Sequence, residues 1–259
     1  MSPSNPQGPP RAAFITGGAK RIGRAIALAL AHAGYAVAIG AERSRADAQA
    51  LAAEIEALGM RSGVVPGDLR DATATEEIIA RAAQVVGPLT LLVNNASLFE
   101  SDAVGTLDPA AWDRHFAINL RAPVFLAQAF ARQAPPAANT SIVNITDQRV
   151  MRPTPRQFSY TLSKCALDAA TTMLAQALAP RIRVNAVAPG PTLPSPRQDA
   201  AAFARQAAAL PLEHGPKPED IAEAVVYLAG ADAVTGQTVA VDGGQHIAWK
   251  TPDVWGIEE

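Results

Sequence analysis

Tyr160 and Lys164 lie four residues apart, a spacing that puts both side chains on one face of a helix and within mutual reach. A free tyrosine, with a pKa of about 10, exchanges protons poorly at neutral pH, whereas a neighbouring ammonium favours the phenolate and lowers that pKa. The pair therefore reads as a general acid, Tyr160, tuned by Lys164. Thirteen residues before Tyr160 stands Asp147, in Asn144-Ile145-Thr146-Asp147. An ionised carboxylate accepts hydrogen bonds and would repel a developing oxyanion. It suits a substrate that offers N–H donors, or a ring nitrogen that needs a proton as a C=N bond is reduced. The plainer alternative is an Asp that only caps a turn or pairs with Arg149.

A second group of residues points to phosphate binding. Thr16-Gly17-Gly18-Ala19-Lys20-Arg21-Ile22-Gly23 follows a β-favouring run and opens a helical one. Glycine lets the backbone turn tightly against a pyrophosphate, and the unpaired N–H groups of a helix start attract negative charge. The strict G-x-G-x-x-G spacing is absent, so the reading leans on the position between strand and helix. About twenty residues further, where an acid would hold a ribose 2′-hydroxyl, the chain reads Gly40-Ala41-Glu42-Arg43-Ser44. Arg43 can fork around a 2′-phosphate, Ser44 sits at a helix start, and Lys20 and Arg21 add charge nearby, which favours NADPH. Glu42 argues for NAD. Ser44 can equally be an ordinary N-cap, with Asp47 three residues on.

These residues need a scaffold, and the pattern supplies one. Short β-favouring runs at 12–16, 36–39, 61–65, 90–94, 141–145, 182–187 and 238–241 alternate with helical segments at 21–33, 45–58, 72–86, 109–133, 159–178 and 218–229. Six right-handed crossovers on one sheet make a single doubly wound α/β domain over residues 11–259, a parallel sheet of about seven strands with helices on both faces. Residues 1–10, rich in Pro, Ser and Gly, read as a disordered tail. Between 191 and 217 the alternation lapses around an Ala-rich helical piece, and the segment reads as a lid. Asn119 lies four residues before Pro123, so its main-chain oxygen is expected to be free at a kink, able to hold a water that relays protons to Lys164.

Composition narrows the function. The 259 residues are 49% hydrophobic and 18% charged with a formal net charge of −2, leaving no electrostatic footprint for nucleic acid or an anionic membrane. A small-molecule enzyme is the default. The longest apolar stretch, 25–39, is broken by His32 and Gly34 and is too short for the ~20 residues of a membrane helix. The single cysteine, Cys165, excludes an internal disulfide and fits a reducing compartment, so a cytoplasmic location is expected. It reads as core filling. His32, His115, His214 and His246 lack ligand spacing and read as surface or packing residues; no metal is expected. Apolar residues around much of 159–178 suggest a buried second face and a homo-oligomer. Trp249 and Trp255, after Asp242-Gly243-Gly244, read as covering the substrate pocket or a subunit contact.

Taken together and in order, Thr16-Gly17 with Gly23, Asn94-Asn95-Ala96, Asn119, Tyr160 with Lys164, and Pro189-Gly190 resemble the short-chain dehydrogenase/reductase family. The resemblance covers essentially everything after residue 10 and implies a Rossmann fold. It implies that Asn119, Tyr160 and Lys164 are catalytic. Gly17, Lys20, Arg21, Ile22, Asn94, Ala96 and Thr146 would line the cofactor, Asp68 and Leu69 would meet its adenine, and Pro189, Gly190 and Thr192 would hold the nicotinamide end. Tetramers are frequent in the family. Where most members carry a serine that bonds the substrate carbonyl, this chain has Asp147. Lys20-Arg21, Arg43-Ser44 and Asn94-Asn95-Ala96-Ser97-Leu98-Phe99 look like pteridine and dihydromonapterin reductases. That resemblance implies a substrate and catalytic set of Arg21, Ser97, Phe99, Asp147, Tyr160 and Lys164, with Phe99 stacking on a flat heterocycle. The expectation is an NADPH-dependent reductase of a pterin-like nitrogen heterocycle. Two alternatives stand beside it: a carbonyl reductase for a ketoacyl, sugar or steroid substrate, and a non-catalytic NADP(H)-binding sensor.

Overall fold

Strands covered on both faces are rich in apolar residues, and those spanning Ala12–Ile15, Ala36–Ala41 and Leu91–Asn94 are buried along their whole length. The computed structural model describes residues 11–136, 139–194 and 198–249. The tail 1–10 and Trp255 lie outside the described residues. Strands β1 (Ala12–Ile15), β2 (Ala36–Ala41), β3 (Ser62–Pro66), β4 (Leu91–Asn94), β5 (Thr140–Ile145), β6 (Ile182–Pro189) and β7 (Thr238–Val241) form one parallel sheet in the order β3-β2-β1-β4-β5-β6-β7. The order reverses between β1 and β4, which opens a crevice at their C-terminal ends. The fold expected from sequence is the one observed.

Alternation within each strand divides the core. Ala13 and Ile15 of β1, with Val37 and Ile39 of β2, pack against α1 (Arg21–His32), α2 (Arg45–Ala57) and α8 (Pro218–Gly230). Ala12 and Phe14 turn to the other face and meet α3 (Thr75–Val86), α5 (Ala122–Gln133) and α6 (Phe158–Leu178). Burying a side chain such as Phe130 or Leu30 contributes roughly 2 kcal/mol each.

Two helix boundaries differ from the sequence expectation by more than two residues. The long helix of 109–133 is divided into α4 (Pro109–Phe116), a single wide π turn (Ala117–Arg121) and α5. Pro123 has no N–H and crowds the turn before it, and the wider turn absorbs that conflict. Helix α3 begins at Thr75 rather than 72, because Asp71 Oδ1 accepts from both the backbone and the hydroxyl of Thr73 and holds a turn there. The Ala-rich helical piece expected within 191–217 is α7 (Ala200–Ala208), with Asp199 capping it by accepting from the Ala202 N–H. Among the described residues no helix is long and apolar enough to cross a membrane.

A buried polar chain joins the two middle strands to α6. Asn94 Nδ2 donates to Asn144 Oδ1 at 2.9 Å, Asn144 Nδ2 to Thr171 Oγ1 at 2.9 Å, and that hydroxyl to the Leu167 carbonyl at 2.9 Å. Asn144→Ala leaves Asn94 Nδ2 buried without its partner and takes one donor from Thr171 Oγ1, which keeps its bond to Leu167. We expect it to cost about 2–4 kcal/mol, read as a lower urea midpoint with an unchanged slope; an unmoved midpoint would show that the chain contributes nothing to stability.

Candidate active site

Two adjoining cavities occupy the C-terminal edge of the sheet. The first, about 660 Å³, lies over the ends of β1 to β4 and is lined by Gly17, Lys20, Arg21, Ile22, Arg43, Asp68, Leu69 and Ala96 among others. Its glycines are there for want of room. A Cβ on Gly23 would stand 2.3 Å from the Gly17 carbonyl oxygen, and Gly17, at φ 61°, would bring one to 3.1 Å from Ala96 Cα. Thr16 Oγ1 accepts from the N–H groups of Asn95 and Ala96, both at 3.0 Å, while Asn95 Nδ2 donates to the carbonyls of Thr16 and Gly17. The turn is thereby held against the β4 loop, with the N-terminus of α1 facing the cavity. Five cationic side chains (Lys20, Arg21, Arg43, Arg70, Arg114) and three acidic ones (Glu42, Asp68, Glu100) line the walls, an excess that suits a polyphosphate. A backbone-lined cradle at a helix N-terminus fits the pyrophosphate of a dinucleotide.

The residues at the far end of this cavity are mutually engaged. Lys20 pairs with Asp47 at 3.0 Å, and Arg70 bridges Glu42 at 2.9 Å and Asp68 at 2.7 Å. The hydrogen bonds from Arg70 hold the Asp68 carboxyl below the usual carboxylate range. Arg43 is 81% exposed, 3.7 Å from Glu42. Ser44 precedes α2 without a capping bond and lies beside the lining residues rather than among them. Arg70 escaped the sequence reading. Its signal was topological: β2 and β3 run parallel in the register Ala41↔Pro66, so residues just past both strands face each other.

The second cavity, about 790 Å³, gathers Ser97, Phe99, Thr146, Asp147, Tyr160, Lys164, Pro189, Gly190 and Thr192. Helix α6 starts after Gln157, whose left-handed backbone (φ 49°) turns the chain so that Tyr160 points back toward the end of β5. The Tyr160 hydroxyl donates to Asp147 Oδ2 at 2.8 Å, and Asp147 Oδ1 accepts from the Arg149 N–H at 2.9 Å. The carboxylate therefore caps a turn with one oxygen, as the plainer alternative has it, and meets the phenol with the other. Phe99 abuts Tyr160 edge to face at 4.7 Å, with the Arg149 guanidinium 5.5 Å from the Phe99 centroid and 5.8 Å from that of Tyr160.

The expected tuning of Tyr160 is reversed. Lys164 Nζ donates to the Ile145 carbonyl at 2.7 Å and lies 6.0 Å from the Tyr160 centroid. Burial first, then the Asp147 charge, push the Tyr160 pKa well above the ordinary value, with Arg149 and Ser97 pulling only partly back. Burial lowers Lys164 to about 8, against an opposing pull from Asp147. The site thus holds the phenol protonated and leaves the amine close to titration.

Other expected site residues take different places. Asn94 is 2% exposed and bonded to Asn144, so its side chain ties strands together and Asn95 is the one that lines both cavities. Asn119 is fully buried and lines neither cavity. Its Oδ1 accepts from the Leu98 N–H at 2.8 Å and its Nδ2 donates to Leu98 O and Ser163 Oγ, both at 3.0 Å. It therefore positions the loop carrying Ser97 and Phe99 against α6. His115 packs in the core as read: Nε2 accepts from the Glu100 N–H, Nδ1 contacts Ser159 Oγ at 2.7 Å, and burial lowers its pKa. Thr146 Oγ1 donates to Val187 O. Arg21, itself left-handed (φ 53°), reaches across to the carbonyls of Pro194 at 3.1 Å and Leu193 at 3.3 Å. Trp249 is exposed and lines neither cavity.

The comparisons agree with this architecture. The family model described as enoyl-(acyl carrier protein) reductase matches residues 17–246. An L-rhamnose 1-dehydrogenase (NAD(P)(+)) of Sphingomonas is 33% identical over 90% of this chain and 95% of its own. The 3-oxoacyl-(acyl-carrier-protein) reductase of Staphylococcus aureus is 32% identical over 92% and 98%. Among solved structures, FolM alternative dihydrofolate reductase 1 from Brucella suis in complex with NADP is 49% identical, covers 94% of this chain and 98% of its own, and superposes with a TM-score of 0.91.

Because the Asp147 charge raises the Tyr160 pKa, Asp147→Asn is expected to make Tyr160 ionise at lower pH than in the wild-type protein. Ultraviolet difference titration, with Tyr160→Phe as the blank, reads this directly. An unchanged titration would remove Asp147 as a cause.

Proposed function

The chain belongs to the short-chain dehydrogenase/reductase family, and from that premise we propose that it reduces a C=N bond of a pterin-like nitrogen heterocycle with NADPH. The observation that carries the reading is the 2.8 Å hydrogen bond from the Tyr160 hydroxyl to Asp147 Oδ2, beside the Phe99 ring, at the wall of the second cavity. The FolM relative, an alternative dihydrofolate reductase bound to NADP, supports both the cofactor and the substrate class. In this reading Gly17, Lys20, Arg21 and Ile22 hold the pyrophosphate, Arg43 with Ser44 the 2′-phosphate, Asp68 and Leu69 the adenine edge, and Ala96, Thr146, Pro189, Gly190 and Thr192 the nicotinamide end. Bound NADPH supplies a hydride to the substrate carbon.

The chain's own groups do the rest. Asp147 accepts from ring N–H donors, and Phe99 offers a face of the slot against which a flat ring packs. The proton shared between Tyr160 and Asp147 is delivered to the ring nitrogen. Lys164, 6.0 Å from the Tyr160 centroid, supplies a countercharge for the phenolate that remains. Asn119 acts through Leu98 by keeping Ser97 and Phe99 in place. Exposed Phe125 on α5 and Leu162 and Met173 on α6 support the homo-oligomer expected from sequence.

Two measurements test the proposal. With a panel of dihydropterins and ketones, Asp147→Ser is expected to lower kcat/KM for dihydropterins about a hundredfold while leaving ketones unchanged or improved. Unchanged dihydropterin turnover would overturn the role of the carboxylate, and turnover of ketones alone would make the protein a carbonyl reductase. In the pH profile, kcat should fall above about 8 as Lys164 loses its proton. Asp147→Asn should move that limb to lower pH, because the Asp147 charge raises the Lys164 pKa.

A further inference from the structure

Glu42 and Arg43 are contradictory neighbours: a carboxylate at the end of β2 suits a ribose hydroxyl and repels a 2′-phosphate, whereas the adjacent guanidinium attracts one. A third residue is built across this conflict. Arg70 Nη2 donates to Glu42 Oε1 at 2.9 Å and to Asp68 Oδ2 at 2.7 Å, and its Nε donates to both Asp68 oxygens at 2.9 and 3.0 Å. Its backbone is fixed as well, with its N–H donating to Asp68 Oδ1 at 2.9 Å and its carbonyl accepting from Arg121 Nη2 at 2.6 Å. All four side chains, Glu42, Arg43, Asp68 and Arg70, line the first cavity.

We infer that Arg70 is a positioning residue for cofactor selection, holding Glu42 out of the 2′ pocket so that Arg43 meets a phosphate monoester there. A carboxylate already bonded to a guanidinium has less charge to turn on a phosphate and one oxygen fewer to offer a ribose hydroxyl. Arg43, exposed and only 3.7 Å from Glu42 through its Nε, keeps its Nη groups for the ligand. Freed from Arg70, Glu42 returns to the acid that favours the unphosphorylated cofactor. The inference rests on the NADPH reading of the first cavity and is independent of the substrate.

Fluorescence titration of NADPH and NADH binding, without turnover, tests it on Arg70→Ala, Glu42→Gln and the double variant. Arg70→Ala is expected to shift the ratio of the two Kd values at least tenfold toward NADH. Adding Glu42→Gln should restore most of the preference, and Glu42→Gln alone should hold or raise it. If Arg70→Ala weakens both cofactors equally, if Glu42→Gln alone lowers the preference, or if the double variant stays as unselective as the single, the inference is overturned. A wild-type protein that binds both cofactors alike overturns the NADPH reading itself and the inference with it.

Discussion

A parallel sheet with both faces covered is the constraint from which the rest of the molecule follows. Each connection must climb back over a face, and every turn that leaves a strand must therefore emerge at the same edge. The Gly17 turn, the Glu42–Arg43 turn, the Asp68–Arg70 loop, the Asn95–Phe99 loop, Asp147 and the Pro189–Thr192 segment all stand there for that reason. The reversal of strand order between β1 and β4 gives them a crevice to share.

Within that edge, the electrostatics run against the simple picture of an ammonium sharpening a phenol. Lys164 is spent on the Ile145 carbonyl, and the nearest charge to Tyr160 along its hydroxyl is negative. Burial and Asp147 act in the same direction on the phenol, so the resting site is one that holds protons. Such a site is arranged for donation, which is what reduction of a polar double bond requires.

Much of this was legible in the sequence. Short β-favouring runs alternating with helical segments placed all seven strands and the principal helices, and the Thr16–Gly23 turn, Asp147, Tyr160 and Lys164 line the two cavities. What escaped has a common cause in contacts between residues far apart in sequence. Spacing alone makes Tyr160 and Lys164 partners, and only the return of β5 beside α6 brings Asp147 between their roles. Asn94 and Asn95 are indistinguishable as a pair of letters, yet strand alternation buries one and aims the other at the cavities. Pro123 announced a disturbance without saying that a π turn would take it up.

Arg21 bears on both chambers at once. It belongs to the glycine turn, its backbone lies in the left-handed region, and its guanidinium clasps the carbonyls of Leu193 and Pro194 on the far side of the mouth. The floor of the first chamber is thus tied to the rim of the second by two hydrogen bonds from one guanidinium.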